Sequence, residues 1–201
     1  ASWSDFQVPY AKDCRGTAFI LNNETNEWNL FTRAYRKFFN LGEFLPKDDF
    51  IKERTPVKSF EKLDGSLILV GRIDGKLVPK SKTSINSEHA ILANKLIQEN
   101  EKLQRFIKTA LNEDYTPVFE LVGPSFKIVL NYPKDELIFL GYVENTTSDV
   151  VTFDGAGGVD AFKETTGVRP AECYDLTWEE LQKLQEESVI KKLHNKTFDT
   201  F

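Results

Sequence analysis

The segment Phe60-Glu61-Lys62-Leu63-Asp64-Gly65-Ser66 sets a lysine amine, a carboxylate and a glycine within four residues at the end of a strand-like stretch. A lysine amine is protonated in water and is then no nucleophile. Nearby cations or removal from water favour the neutral form, which can attack phosphorus. Gly65 lets a backbone approach a ligand closely. The same letters, Lys-x-Asp-Gly, also suit a surface hairpin, and by themselves they define no reaction.

The elements around this segment follow from periodicity and turn chemistry. Residues 17–21 and 28–33 read as strands joined by the polar run 22–27, which suits a hairpin. Pro46 and Pro56 bracket an irregular segment. A strand over 57–61 precedes Lys62, an apolar strand over 67–72 follows it, and Asp74-Gly75 is a two-residue turn into a return strand over 76–81. Ser84 or Ser87 caps a helix reaching about residue 111, with a break at Asn100. Strands follow over 118–122 and 137–144. Residues 145–160 read as a loop, because the glycines at 154–158 lack both the Lys-Ser/Thr ending of a phosphate-binding loop and the spacing of a dinucleotide fingerprint. Thr177 and Glu180 form a capping box for a helix to about His194. Strands joined by hairpins, without regular strand-helix-strand alternation, predict an α+β fold with antiparallel sheets and flanking helices.

Bulk properties exclude several classes. Lys plus Arg number 26 against 31 Asp plus Glu, a net charge of −5, so polyanion binding cannot come from bulk charge and needs basic residues gathered in one cleft. Cys14 and Cys173 form no zinc pattern, and His89 and His194 are isolated. Asp13, Asp48, Asp49, Asp154 and Asp160 match no metal-binding spacing, and the acidic stretch 179–187 reads as a solvated helix face. No apolar run is long enough to span a membrane, and Asp5, Lys12 and Asp13 interrupt any signal-like start. A cytoplasmic location, or a host cytoplasm for a viral protein, is the default expectation.

Lys62-Leu63-Asp64-Gly65 resembles motif I of the covalent nucleotidyltransferases, which include DNA ligases, RNA ligases and messenger-RNA capping enzymes. The surrounding blocks are most similar to the phage-type ATP-dependent RNA ligases, the RNA ligase 1 family. Cys14-Arg15-Gly16-Thr17-Ala18-Phe19 resembles that family's upstream block, and the resemblance assigns Arg15 to the ATP phosphates. Arg36-Lys37-Phe38-Phe39-Asn40 resembles its Lys-Phe-Phe-Asn block, which gives Lys37 a role at the nucleotide or its phosphates. Ser81-Lys82-Thr83-Ser84-Ile85 resembles the block after motif I, with Lys82 on the functional lysine. Val118-Phe119-Glu120-Leu121-Val122 resembles motif III, with Glu120 as the carboxylate at the ribose or a metal. Phe31, Phe38 and Phe39 could stack on adenine, although core packing accounts for most phenylalanines.

The resemblance implies a catalytic Lys62, a nucleotide site of Arg15, Lys37, Lys82, Glu120, Asp64 and Gly65, and ATP with Mg²⁺ as cofactors. It implies RNA ends, including those of tRNA, as partners, with Lys127 a further candidate contact. The family's motif IV, a Glu-Gly strand, and motif V, a Lys-x-Lys strand, are not found in the last third. The expectation is therefore one adenylylation domain over residues 1–201, truncated before motifs IV and V, with weak or absent labelling by these residues alone. A DNA ligase, a capping-type enzyme and a non-reactive nucleotide-binding fragment are the competing readings.

Overall fold

The computed structural model describes residues 8, 10–38, 58–155, 157–184 and 186–187. In chain order the strands are β1 (Ala18–Asn22), β2 (Glu27–Thr32), β3 (Ser59–Phe60), β4 (Ser66–Ile73), β5 (Lys76–Ser81), β6 (Tyr115–Val122), β7 (Glu136–Glu144), β8 (Val150–Val151) and β9 (Cys173–Tyr174). The helices with defined bounds are α1 (Glu88–Gln98), α2 (Glu101–Asn112) and α3 (Val159–Thr166). The chain divides into two compact units, Ala1–Phe38 with Glu61–Glu172, and Phe39–Phe60 with Cys173–Phe201.

The larger unit is built on a five-stranded antiparallel sheet of order β5-β4-β6-β7-β8. Asp74 and Gly75 both take positive φ, 48° and 75°, as the tight turn between β4 and β5 requires. β4 lies between two neighbours, and Ile68, Leu69 and Val70 are fully buried in it. Ile68 and Val70 point to one face, with Phe119, Leu121, Leu137 and Phe139, and pack against Ala93, Ile97, Leu103 and Ile107 of the helices. Each such side chain withdrawn from water contributes roughly 1.5–3 kcal/mol before entropy is counted. The Ser87 side chain accepts from the Ala90 amide to start α1, and the Asn100 side chain accepts from the Leu103 amide to start α2. The expected break at Asn100 thus divides this stretch into two helices, where a short polar side chain caps the second.

Alternation along the strands turns Leu69, Val118 and Val143 to the opposite face, where they meet Ala34. Leu63, Val122, Ile138 and Ala171 form an adjoining cluster. The β1–β2 hairpin is a separate two-stranded sheet. The pairing of Val118 with Gly141 and of Phe119 with Phe139 leaves Leu140 over, a bulge in β7 beside Gly141, whose φ is 151°. A Cβ there would run into the Tyr35 hydroxyl and the Val151 carbonyl.

In the smaller unit, β3 pairs antiparallel with β9, Ser59 opposite Tyr174 and Phe60 opposite Cys173. The capping box is present: the Thr177 amide donates to Glu180 Oε2 at 2.8 Å, and the Glu180 amide to Thr177 Oγ1 at 3.3 Å. Helix follows over 178–184. The expected strand over 57–61 is reduced to two residues, with Val57 outside the described residues, as are Pro46, Pro56 and His194.

One expectation is corrected. Residues 145–160 are not all loop, since β8 and the start of α3 fall within them. The first residue of α3 follows Gly158, which offers no side-chain cap, so the usual starting signal is missing. The α+β class holds, since every strand pair is antiparallel.

Candidate functional site

Residues 61–65 connect β3 to β4, and because β3 pairs with β9 this is not a hairpin turn. Its residues are held one at a time by different parts of the larger unit. The Glu61 amide donates to the Glu172 carbonyl at 2.9 Å, and its carboxylate accepts from Arg169 Nη1 at 2.9 Å and Nη2 at 3.4 Å. Arg169 is fixed in turn, because its carbonyl accepts from the Phe139 amide at 2.9 Å. Leu63 is buried against Val122, Ile138 and Ala171. The Asp64 amide donates to the Tyr132 hydroxyl at 3.1 Å, and Asp64 Oδ2 accepts from the amides of Val129 at 2.6 Å and Leu130 at 2.7 Å. Those bonds, Leu130 first, hold the Asp64 carboxyl below its ordinary pKa. Lys62 alone in this stretch presents an exposed side chain.

Gly65 has a structural use beside the expected one. A Cβ at this position would collide with the Leu121 carbonyl oxygen and press on Val122 and Glu120. The close approach that glycine permits is therefore strand against strand. Asp64 likewise has its carboxylate engaged by backbone amides, so it shapes the segment around Lys62.

Glu120 stands opposite Leu67 in the β4–β6 register, on the face away from the helices. It is half-buried. Burial pushes its pKa up to about 7, against a hydrogen bond from the Gly65 amide and the charge of Lys62, which lower it, while Asp64 adds repulsion. Lys62 also acts electrostatically on Asp64. The structure therefore brings Lys62, Asp64, Gly65 and Glu120 together.

The expected cations form a second group. Arg15 is exposed, with its guanidinium 5.8 Å from the centre of the Phe38 ring. Lys37 Nζ donates to the Phe38 carbonyl at 2.6 Å, and its amide to the Lys12 carbonyl at 2.8 Å. Lys82 is exposed and lies beside Gly16, where a built Cβ would be 3.7 Å from its Cγ. The same Cβ would be 3.8 Å from Leu69 Cδ1, so the Arg15–Gly16 turn lies over Leu69, two residues along β4 from Leu67 and hence about 7 Å away. The two groups thus share one face of the sheet.

Phe31 packs against Gly71 and belongs to the core, Phe38 is exposed beneath Arg15, and Phe39 lies outside the described residues. His89 stacks on Phe126 with centroids 3.9 Å apart. A groove of about 650 Å³ runs between β5 and helices α1 and α2, lined by Leu77, Ile85 and Ile91, and none of the expected site residues lines it. Among the described residues no cluster of three or more His, Cys, Asp or Glu could hold a metal. Magnesium needs few protein ligands when substrate phosphates complete its shell, so Glu120 as a single carboxylate is compatible with it.

Sequence reasoning gave no role to Glu61, Arg169 and Lys80, and placed Tyr132 only in the continuation of the motif III likeness. For Lys80 a signal existed, since strand alternation from Val78 turns it inward. For Arg169 none existed, because its partner is 108 residues away.

The antiparallel sheets and flanking helices match the fold of a ligase-type nucleotidyltransferase core. Solved structures agree on the fold: two forms of an archaeal ATP-dependent RNA ligase superpose with TM-scores of 0.57 and 0.55, at 17% and 15% identity, covering 82% and 96% of this chain and 42% and 55% of theirs. The chain belongs to the RNA ligase family, whose pattern matches residues 13–198 and so runs through the last third, where motif reading alone found no block. A putative RNA ligase of Thermovibrio ammonificans is 30% identical over 145 residues, 71% of this chain and 36% of that protein. The RNA ligase of Rhodothermus phage RM378 is 24% identical over 169 residues, 68% of this chain and 38% of that protein. The chain therefore spans well under half the length of these curated relatives. No helix among the described residues is long and apolar enough to cross a membrane.

Proposed function

We propose that the protein is an ATP-dependent RNA ligase that joins 5′-phosphate and 3′-hydroxyl ends through a lysyl-AMP intermediate, with Lys62 as the nucleophile. The observation that carries this reading is that Lys62 is exposed on a connection whose other residues are all held, beside the half-buried Glu120. A fixed backbone on either side of Lys62 limits where its amine can reach, which suits in-line attack, where orientation supplies much of the rate.

In the first step Lys62 Nζ attacks the α-phosphorus of ATP. A P–N bond forms, the bond to pyrophosphate breaks, and the amine loses a proton. In the second, a 5′-phosphate oxygen of the RNA takes the adenylyl group and Lys62 leaves. In the third, the 3′-hydroxyl attacks the activated phosphate and AMP departs. Arg15, Lys37 and Lys82 oppose the charge of the phosphates, and Glu120 serves the ribose or a metal. Magnesium, when bound, neutralises charge developing on the phosphate oxygens. Asp64 and Gly65 act by fixing the backbone on which Lys62 sits.

The test is the mass of the full-length protein after incubation with ATP and Mg²⁺. One added AMP is expected, absent in Lys62→Ala; equal labelling of that variant would end the assignment. GTP in place of ATP separates a capping-type enzyme, and joining assays on RNA and DNA ends separate a DNA ligase. ATP bound without any adduct would favour the non-reacting alternative.

A further inference from the structure

Lys80 is the one charged side chain among the described residues that is almost wholly buried, 5% exposed. It lies opposite Leu69 in the β4–β5 register, on the strand leading to Lys82. Its ammonium donates to the Gly16 carbonyl at 2.9 Å and the Lys82 carbonyl at 3.2 Å. An ammonium carries three donors, and the third has no partner among the described residues. No carboxylate pairs with it there either. A buried cation without a countercharge is costly to a fold, and this one sits under the two residues, Arg15 and Lys82, expected at phosphates.

We propose that Lys80 is a positioning residue for a polyphosphate site: it ties the Arg15–Gly16 turn to Lys82 and leaves its third donor and its charge for the phosphate tail of a nucleoside triphosphate. Gly16 takes φ +83° and lies against Ala34, Lys82 and Leu69, so the turn has little room to find Lys82 by another route. One side chain therefore sets the spacing of two exposed cations contributed by segments far apart in sequence. Burial lowers the pKa of Lys80, and an arriving phosphate opposes that effect. A surface lysine in the same place would tie nothing and would be screened by water. The assignment rests on the nucleotide reading above.

The test is equilibrium binding by full-length protein carrying Lys62→Ala, so that no covalent step intervenes. Lys80→Met is expected to weaken ATP at least tenfold while adenosine changes less than twofold, and inorganic tripolyphosphate should lose its ability to compete. Lys80→Gln, which keeps a neutral, shorter donor but carries no charge, is expected to weaken ATP at least threefold, and it keeps the test readable if the methionine variant folds poorly. Equal weakening of ATP and adenosine, or unchanged ATP affinity in a folded variant, overturns the proposal. If the parent binds tripolyphosphate through Lys80 but no ATP, the nucleotide reading falls and the phosphate site stands. If it binds neither, the site falls with it.

Discussion

The connection at 61–65 and the stretches that carry Arg15 and Lys37 are held in opposite ways. Around Lys62 the partners come from far along the chain: Arg169 for Glu61, Val129, Leu130 and Tyr132 for Asp64, and Glu120 for Gly65. Around Arg15 several ties stay within residues 10–38. Thr17 Oγ1 donates to the Asp13 carbonyl at 2.6 Å, Arg36 pairs with Asp13, and Lys37 contacts Lys12 and Phe38. Arg33, through its amide to Thr116 Oγ1 at 3.0 Å and its Nη1 to Ser148 Oγ at 2.7 Å, and Lys80 are among the bonds that anchor this strip to the sheet and its connections. The difference matches what each group is asked to do in the proposed reaction. An attacking amine must be aligned with a breaking bond, and small displacements are expensive. A cation opposing phosphate charge acts through a force that falls slowly with distance and tolerates a looser mount.

Three experiments can break or sharpen that contrast. The largest effect is expected for Gly65→Ala, where the new Cβ meets the Leu121 carbonyl and has nowhere to go. Overpacking of this kind costs roughly 1–3 kcal/mol. Because the shift begins three residues from the amine, AMP adduct formation should fall about a hundredfold. Chemical denaturation and labelling together check it, and an alanine variant with normal labelling would show that the connection is not held as described.

A second, pH-dependent effect belongs to Glu120. Its folded pKa of about 7 lies above its ordinary value of 4.5, so ionisation burdens the folded state. Stability should decline as pH rises from about 4.5 to about 7 and level off above that. Glu120→Gln should remove the decline and be more stable above pH 7, by about 2 kcal/mol once partial exposure is allowed for. Identical pH–stability curves for the two proteins would mean that the carboxylate is solvated.

The smallest effect compares two ion pairs. A double-mutant cycle on Glu61 and Arg169, whose side chains are 30% and 23% exposed, should give a coupling of about 1 kcal/mol and lower the labelling rate. The same cycle on Asp13 and Arg36, where the arginine is 64% exposed, should give a smaller coupling and no change in labelling beyond a weaker affinity for ATP. Reversed magnitudes would invert the comparison.

Much of this architecture was legible from local chemistry. Asp74-Gly75 specifies its turn, Asn100 its helix break, and Thr177 with Glu180 their cap, because each acts on a backbone no more than a few residues away. The candidate residues were legible as a set of types, and they lie near one another: Lys62, Asp64, Gly65 and Glu120 in one group, Arg15 and Lys82 together by Gly16. What could not be read was how they are held. Asp64 and Gly65 look like ligand residues in sequence, yet their partners are the amides at 129–130 and the carbonyl of Leu121. β3 was misjudged in length because its partner, β9, lies more than a hundred residues on. α3 was missed because it starts after glycine and lacks a capping side chain.

The bond between Glu61 and Arg169 closes a loop of 108 residues, and pairings of such span form late because the intervening chain must first be ordered. A ribosome-bound chain that has emerged only as far as β7 already contains Lys62, β4 and β6, but not the arginine that steadies the residue before it. The connection that carries Lys62 thus gains its full set of bonds only after synthesis has passed α3.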